Sequence, residues 1–255
     1  MRHIEIILDG IALSSLGPFL VQQVHEDAPT MESTTAERPG RAGSLPISVL
    51  RQELRIAVEL MIRERFDLAY RATALETLAA WADGEHILQL SNRPDRRLRV
   101  VCTSIPSLLE VRNPAAILRV EFTAFTVPYW EDRETTRLSL DNGATGSGEL
   151  LVHGSAPSPV GLIVTPTGGT LSSFSATVDG HTVALAGLSI AQNVQLLFYQ
   201  DSRDCLMIES AETSLLSART AASADELLAA PGRIAVSYTA STACGVTFIS
   251  RGRWQ

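Results

Sequence analysis

Apolar residues recur at every second position in many short stretches of this chain, and this period of two constrains the fold more than any other feature. The stretch ILRVEFTAFTVPYWEDRE, residues 117 to 134, is the best example. Leu118, Val120, Phe122 and Ala124 would point to one side of a strand and the intervening polar residues to the other. A sheet with one buried face and one solvent-exposed face is typically antiparallel. The pattern predicts a mainly β protein.

This strand is predicted to end at Pro128, because proline has no N–H to donate to a sheet and restricts the residue before it. Tyr129, Trp130 and a run of charged residues follow. Aromatic residues after a terminal strand more often fill a domain junction than bind a sugar ring. We therefore predict a junction at Pro128, Tyr129 and Trp130, between a domain of residues 1–130 and a second of residues 131–255.

The second half is rich in Gly, Ser, Thr and Pro, with short apolar runs about ten residues apart. Such spacing predicts an all-β sandwich. The dipeptides Asn142-Gly143 and Asp179-Gly180 are the strongest hairpin turn signals. SADELLAAPGR predicts one helical turn or a short helix that ends at Pro231, and IAVSYTA and CGVTFISR predict two final strands.

The first half of the chain is predicted to contain several strands and one helix that packs against them. A short strand turns at Asp9-Gly10. Five alternating apolar residues in VLRQELRIAVELMI, from Val49, favour a long strand, although the Glu and Arg residues between them would also suit a helix. Asp67 is a plausible N-cap for a helix that stops at Gly84. Two further strands flank residues 92–95, Asn-Arg-Pro-Asp, which have the composition of a turn.

Residues 29–48 differ from their surroundings, with three prolines, two glycines and little apolar material. This composition predicts an exposed arm outside the core, a contact element between subunits or plain disorder. Its candidate contact residues are Arg38, Pro39, Gly40 and Arg41.

Bulk composition argues against several classes of partner. The net charge is −7 and all 21 basic residues are arginines, so the chain lacks the basic footprint that nucleic-acid binding needs. No apolar stretch is long enough to span a membrane. The first residues are too acidic for a secretory signal, so we expect assembly in the cytoplasm.

The sequence predicts no catalytic, metal or cofactor site. The five histidines have no zinc-binding spacing, and no G-x-S-x-G elbow is present. The glycine-rich runs at 38–43 and 166–169 are explained by turns, since neither links a buried strand to a helix. Sugar stacking on Tyr129, Trp130, Tyr199, Tyr238 or Trp254 is the remaining binding chemistry.

The order of features across residues 36 to 130 resembles the distal tail proteins of long-tailed, siphovirus-type bacteriophages. The resemblance rests on the arm AERPGRAGSLP, the strand after it, the helix ending LETLAAWAD, the pair of strands LSNRPDRRLRVVC and the last strand VEFTAFTVPYW. Relatives typically carry F-x-A-x-D-P-Y in that last strand. Val127 stands here in place of the acidic residue.

The resemblance implies an N-terminal domain that joins sheets with its neighbours into a hexameric ring, followed by a galectin-like β-sandwich. Such a ring is a structural hub of the virion tail, between the tail tube and the tip or baseplate, and its lumen lets the genome pass. An acidic chain fits a passage that repels DNA. The alternative is a carbohydrate-binding module displayed on a virion, with a host-surface glycan as its ligand.

Overall fold

The structure, a computed structural model, describes residues 4–37, 44–63, 67–113, 117–198, 205–208 and 212–255. The chain divides into two compact units, Met1–Trp130 and Glu131–Gln255. Strands dominate both units, which confirms the predicted mainly β fold. None of the helices in the described ranges has the length and apolar character to cross a membrane.

The first unit holds nine strands, two α-helices and a short 3-10 helix at Leu13–Ser15 in the described residues. Their bounds are β1 Ile6–Leu8, β2 Ile11–Ala12, β3 Phe19–Glu26, β4 Met31–Glu37, β5 Ser44–Arg51, β6 Leu54–Ile62, α1 Leu68–Ala82, β7 Glu85–Leu90, β8 Arg93–Ser104, α2 Leu108–Arg112 and β9 Leu118–Ala124.

Seven of these strands form one sheet in the order β2-β1-β7-β8-β9-β6-β3. Neighbouring strands in this order pair antiparallel, and β6 lies between β3 and β9 with Ile56 opposite Phe122. The alternating apolar residues of β6 and β9 are buried as predicted, and they form the core of this unit together with Leu78 and Ala82 of α1. The strand predicted from Val49 is interrupted at Gln52-Glu53, which separates β5 from β6.

Helix α1 begins as predicted, with the Asp67 carboxylate accepting a hydrogen bond from the Tyr70 amide over 3.0 Å. Its buried face includes Arg71, Leu78 and Ala82, whereas Leu68 at its start is exposed. The Arg71 guanidinium donates to the carbonyl oxygens of Val111 and Asn113, over 2.6 and 3.1 Å. This buried cation therefore fastens α1 to the end of α2.

Helix α2 was not predicted from the sequence, and it is much shorter than α1. It begins with a capping box, in which the Ser107 hydroxyl accepts from the Glu110 amide and the Glu110 carboxylate accepts from the Ser107 amide. These bonds with Ser107 hold the pKa of Glu110 below its ordinary value. The S-x-x-E spacing was the signal available in the sequence.

Two predicted positions in the first unit need correction. Strand β9 ends at Ala124, four residues before Pro128, so the proline follows a loop and does not itself stop the strand. The turn between β7 and β8 is Ser91-Asn92, and Pro94 lies inside β8. The Asp9-Gly10 turn is confirmed, with both residues at positive φ.

The second unit contains eleven strands in the described residues and a short 3-10 helix at Leu216–Ala218. Their bounds are β10 Trp130–Asp132, which begins in the first unit, β11 Thr136–Val152, β12 Ser158–Pro166, β13 Leu171–Val178, β14 His181–Ile190, β15 Gln195–Phe198, β16 Cys205–Ile208, β17 Glu212–Ser214, β18 Leu228–Ala229, β19 Gly232–Ser250 and β20 Arg253–Trp254.

Strand β19 organises this unit because it pairs with three neighbours. Its first half pairs with β13 and its second half with β12, while β11 follows it along nearly the whole length. The two strands predicted as IAVSYTA and CGVTFISR are thus one continuous strand. Their inward-facing residues belong to a single apolar core with Phe174, Val164 and Leu196.

Asn142-Gly143 is a bend within β11, so the predicted hairpin turn there is wrong. The register with β19 shifts on both sides of Gly143, and Asn142 has a φ of 46°. Close by, a Cβ on Gly146 would lie 2.5 Å from the Tyr238 ring. The glycines therefore let β11 fold closely over Tyr238.

Asp179-Gly180 does form the predicted hairpin turn, between β13 and β14, with both residues at positive φ. The helix predicted from SADELLAAPGR is absent from residues 223–232, all of which the structure describes. Leu228–Ala229 instead forms β18 and pairs with Ser158 and Pro159. Tertiary pairing has overridden a weak local helix signal.

Candidate assembly surface

Strands β4 and β5 form a separate two-stranded sheet, which we call the arm hairpin. It occupies most of the predicted arm, residues 29–48, so that segment is an ordered hairpin where the structure describes it. The candidate contact residues Arg38, Pro39, Gly40 and Arg41 lie outside the described residues.

The arm hairpin exposes large apolar side chains. Met31, Leu45, Ile47 and Leu50 are 59%, 44%, 66% and 58% exposed. A two-stranded hairpin is at best marginally stable by itself in water. Exposed apolar surface on a short element is typical of a protein interaction site. The arm hairpin is therefore the first candidate for a contact with another chain.

The base of the arm hairpin is held by Arg51, the last residue of β5. Its Nε donates a hydrogen bond to the Pro128 carbonyl oxygen over 2.8 Å. Its guanidinium carbon also lies 4.5 Å from the centre of the Tyr129 ring, in a cation–π arrangement. Two of the predicted junction residues thus anchor the arm hairpin.

Trp130, the third predicted junction residue, is only 2% exposed. Its indole Nε1 donates to the Glu26 carboxylate over 2.6 Å, and the Arg93 guanidinium lies 5.1 Å from the ring centre. Arg93 also pairs with Glu26 over 2.9 Å. These contacts all lie within the first unit, and the role of Trp130 as a domain junction stays a prediction.

The ends of the first sheet offer a second surface for assembly. The sheet ends in β3, which has eight residues, and in β2, which has two. Just past the end of β3, the Asp27 amide donates to the Arg55 carbonyl oxygen. In an antiparallel pair, the amides of one strand point alternately toward and away from the partner strand. The Val24 and Glu26 amides therefore point away from β6, toward the open edge.

The sugar-stacking candidates are largely unavailable. Tyr238 is 3% exposed, and its hydroxyl donates to the carbonyl oxygens of Gly143 and Cys244. Trp130 is buried, and Tyr199 lies outside the described residues. Tyr129 is occupied by Arg51, and the Trp254 indole donates to Asp132. A stacking platform for sugars gains no support from these positions.

The second unit has an open groove whose lining combines Glu149, Asp179 and Arg233 with apolar residues such as Ile234 and Val236. Its lining includes no aromatic ring. Across the described part of the chain, no group of three or more His, Cys, Asp or Glu residues is arranged to hold a metal ion.

This chain is similar to known proteins in its fold but not in its sequence. No protein-family model matches this chain, and neither does any curated protein. A solved structure that is similar is the SPP1 Dit (gp 19.1) protein, described as a paradigm of the hub adsorption apparatus in phages that infect Gram-positive bacteria. Its TM-score is 0.72 at 12% identity, with 98% of this chain and 99% of that chain covered.

Two chains from the phage P2 baseplate are also similar. The one in the activated conformation with Ca has a TM-score of 0.55 at 8% identity and covers 99% of this chain and 98% of its own. The one with Sr has a TM-score of 0.51 at 10% identity and 98% coverage of both chains. Over almost its whole length, this chain has the fold of the SPP1 Dit hub protein.

Proposed function

We propose that this protein is a structural hub of a bacteriophage tail, a distal tail protein whose first unit assembles into a hexameric ring. The observation that carries the proposal is the arm hairpin, which exposes four large apolar side chains. Similarity in fold to the SPP1 Dit hub protein over the full length supports it.

A ring requires two different, complementary surfaces on each subunit, because its contacts run head to tail. The first unit offers an open β3 edge at one end of its sheet and the β1–β2 hairpin at the other. Unpaired strand edges readily take up a strand from another chain. We infer that neighbouring sheets join edge to edge and that the arm hairpin adds an apolar contact between subunits.

The same proposal gives the protein its place and partners. The ring joins the tail tube to tip or baseplate proteins in the virion tail, after assembly in the host cytoplasm, and its lumen leaves room for the genome. The net charge of −7 suits a passage that does not retain DNA. The second unit is a galectin-like sandwich outside the ring, and the proposed role is structural and not enzymatic.

Size measurement of the purified full-length protein tests the proposal directly. Light scattering should give the mass of six chains, or of two stacked rings, and negative-stain images should show six-fold symmetry around a central opening. A strict monomer at high concentration would count against the ring.

A further inference from the structure

Strand β11 is an open edge of the second unit. Among the described residues it pairs with β19 and with no other strand. Strand β14, at another end of this sheet, is covered, because the amides of Thr220 and Ala224 donate to carbonyl oxygens of that strand. Unpaired strand edges readily take up a strand from another chain. The uncovered edge of β11 is therefore a candidate contact surface.

The hydrogen bonds of β12 show how the first half of β11 is oriented. Residues directly opposite each other in an antiparallel pair either exchange both hydrogen bonds or neither. The Val160 amide donates to the Leu227 carbonyl oxygen, away from β19, so Val160 does not bond to Ser250 opposite it. Ser250 therefore bonds on its other side, to Thr136 of β11. The backbone groups of Thr136 thus point toward β19.

Three residues of this half direct their backbone groups to the open edge. The register with β19 is regular from Thr136 to Leu140. Since direction alternates along a strand, the amides and carbonyls of Arg137, Ser139 and Asp141 point away from β19. The side chains of these three residues are exposed. The edge thus carries a positive and a negative side chain at equal distances from a central serine.

Two copies of this edge are complementary when they pair antiparallel about Ser139. Each Arg137 then lies directly opposite Asp141 of the second copy. Opposite charges across a strand pair are stabilising, and like charges are destabilising. Neither residue forms an ion pair within its own chain among the described residues. An axis moved to Arg137 or to Asp141 would oppose like charges, so the charges select the register about Ser139.

The other face of the strand favours the same register. Leu138 and Leu140 are partly buried and pack against the apolar core of the second unit. In the pairing about Ser139, each Leu138 lies opposite Leu140 of the second copy, at positions where facing side chains come closest. The pairing therefore covers apolar surface that a single copy leaves exposed.

The bend at Gly143 ends this complementary edge. Beyond the bend, Ala235 of β19 accepts from the Asp179 amide on the side of β13, so Glu149, opposite Ala235, also directs its amide to the open edge. Its charge is matched within the chain, because it pairs with Arg233 over 3.7 Å. The second half of β11 is thus open but lacks the charge pattern of the first half.

We propose that two copies of this protein join through β11, with residues 136–141 of each strand paired antiparallel about Ser139. The contact is short, so single chains pair weakly, whereas six such contacts between two rings act together. If the proposed hexameric ring forms, β11 joins two rings face to face. The pairing itself does not depend on the ring.

Charge reversal in the full-length protein tests the pairing by light scattering at high protein concentration. Arg137→Asp and Asp141→Arg each place like charges opposite each other, so each variant alone should have half the mass of the wild type. An equal mixture of the two variants, or one chain with both changes, restores opposite charges and should restore the wild-type mass. Glu149→Arg reverses a charge beyond the bend and should keep the wild-type mass. Equal masses for the wild type and both single variants overturn the pairing.

Hydrogen exchange of the wild type decides the question without a variant. After correction for intrinsic rates, the amides of Arg137, Ser139 and Asp141 should exchange about tenfold more slowly than the Glu149 amide. Equal exchange overturns the pairing. The ring is judged separately: six chains in the wild type and in both variants support the ring and refute the pairing. Two chains in the wild type and one in each variant support the pairing and refute the ring.

Discussion

Arg51 donates a hydrogen bond to the carbonyl oxygen of Pro128 over 2.8 Å, and this bond joins the end of the arm hairpin to a segment 77 residues later in the chain. The same guanidinium covers the Tyr129 ring. One arginine therefore couples the proposed assembly element to the last residues of the first unit.

Replacing Arg51 by alanine should destabilise the first unit by about 2 kcal/mol, because it removes a charged hydrogen bond and a cation–π contact. Urea unfolding measures the change as a shift of the midpoint. Arg55→Ala is the matched control, since that side chain is 60% exposed and pairs with its neighbour Glu53. Indistinguishable midpoints for the two variants would mean that the Arg51 contacts contribute little.

The exposed apolar side chains of the arm hairpin should matter for assembly and not for folding. The triple change Leu45→Thr, Ile47→Thr and Leu50→Thr keeps strand propensity and removes exposed apolar surface. We expect the monomer to keep its melting temperature while sedimentation shows a loss of the ring. Leu216→Thr, at a 52% exposed position in the second unit, should leave both unchanged. An intact ring in the triple variant would rule out the arm hairpin as a contact.

Val24→Pro tests edge-to-edge joining at β3. Its amide points away from β6, so proline removes a donor from the open edge and leaves the bonds to β6 in place. The variant should fold but sediment as a monomer, whereas Val24→Thr, which keeps the amide and the side-chain shape, should form rings. Rings from the proline variant would show that neighbours join elsewhere.

Gly146→Ala should destabilise the second unit by about 1 to 3 kcal/mol, because the new Cβ would meet the Tyr238 ring at 2.5 Å. Tyr238 cannot easily move, since its hydroxyl is bonded to Gly143 and Cys244. Gly245→Ala provides the control, because its Cβ would have no neighbour within 4 Å. Thermal unfolding of the two variants distinguishes a local clash from a general intolerance of alanine in these strands.

The Asp9 carboxylate should make the first unit less stable as the pH falls into the acid range. Burial raises the pKa of Asp9, but hydrogen bonds from the His86 side chain and from the Ile87 amide outweigh it and leave the pKa below its ordinary value of 3.8. A lowered pKa in the folded state contributes stability above the unfolded value, and this is lost as pH falls through the lower folded value. The wild type should therefore lose more stability below about pH 4 than Asp9→Asn, which keeps an acceptor for Ile87 but has no charge. Parallel acid unfolding curves for the two proteins would contradict this expectation.

Much of the fold could be predicted because its signals are local. The N-cap of α1 at Asp67, the alternation in β9 and the turns at Asp9-Gly10 and Asp179-Gly180 depend on residues close together in the chain. Helix α2 was missed although its capping box was visible, because five residues give too little periodicity to separate a helix from a loop.

Other features needed partners that are distant in sequence. Asn142-Gly143 has the composition of a hairpin turn, yet β19 pairs with β11 on both sides of it, so the chain bends there and does not reverse. SADELLAAPGR favours a helix locally, but pairing with Ser158 and Pro159 makes part of it a strand. In both cases a long-range ladder of hydrogen bonds outweighs a local preference.

The candidate assembly surface likewise has features that local sequence predicts and features that depend on distant residues. The sequence by itself determined a mainly β chain with an arm and with aromatic residues after β9, because period, proline and glycine act on neighbouring residues. Only the tertiary structure decided that Arg51 would contact Pro128 and Tyr129. It also decided that the buried Trp130 indole would donate to Glu26. In the same way, it placed His86 between Asp9 and Asp83. These contacts depend on the register of strands up to 104 residues apart, which no local pattern specifies.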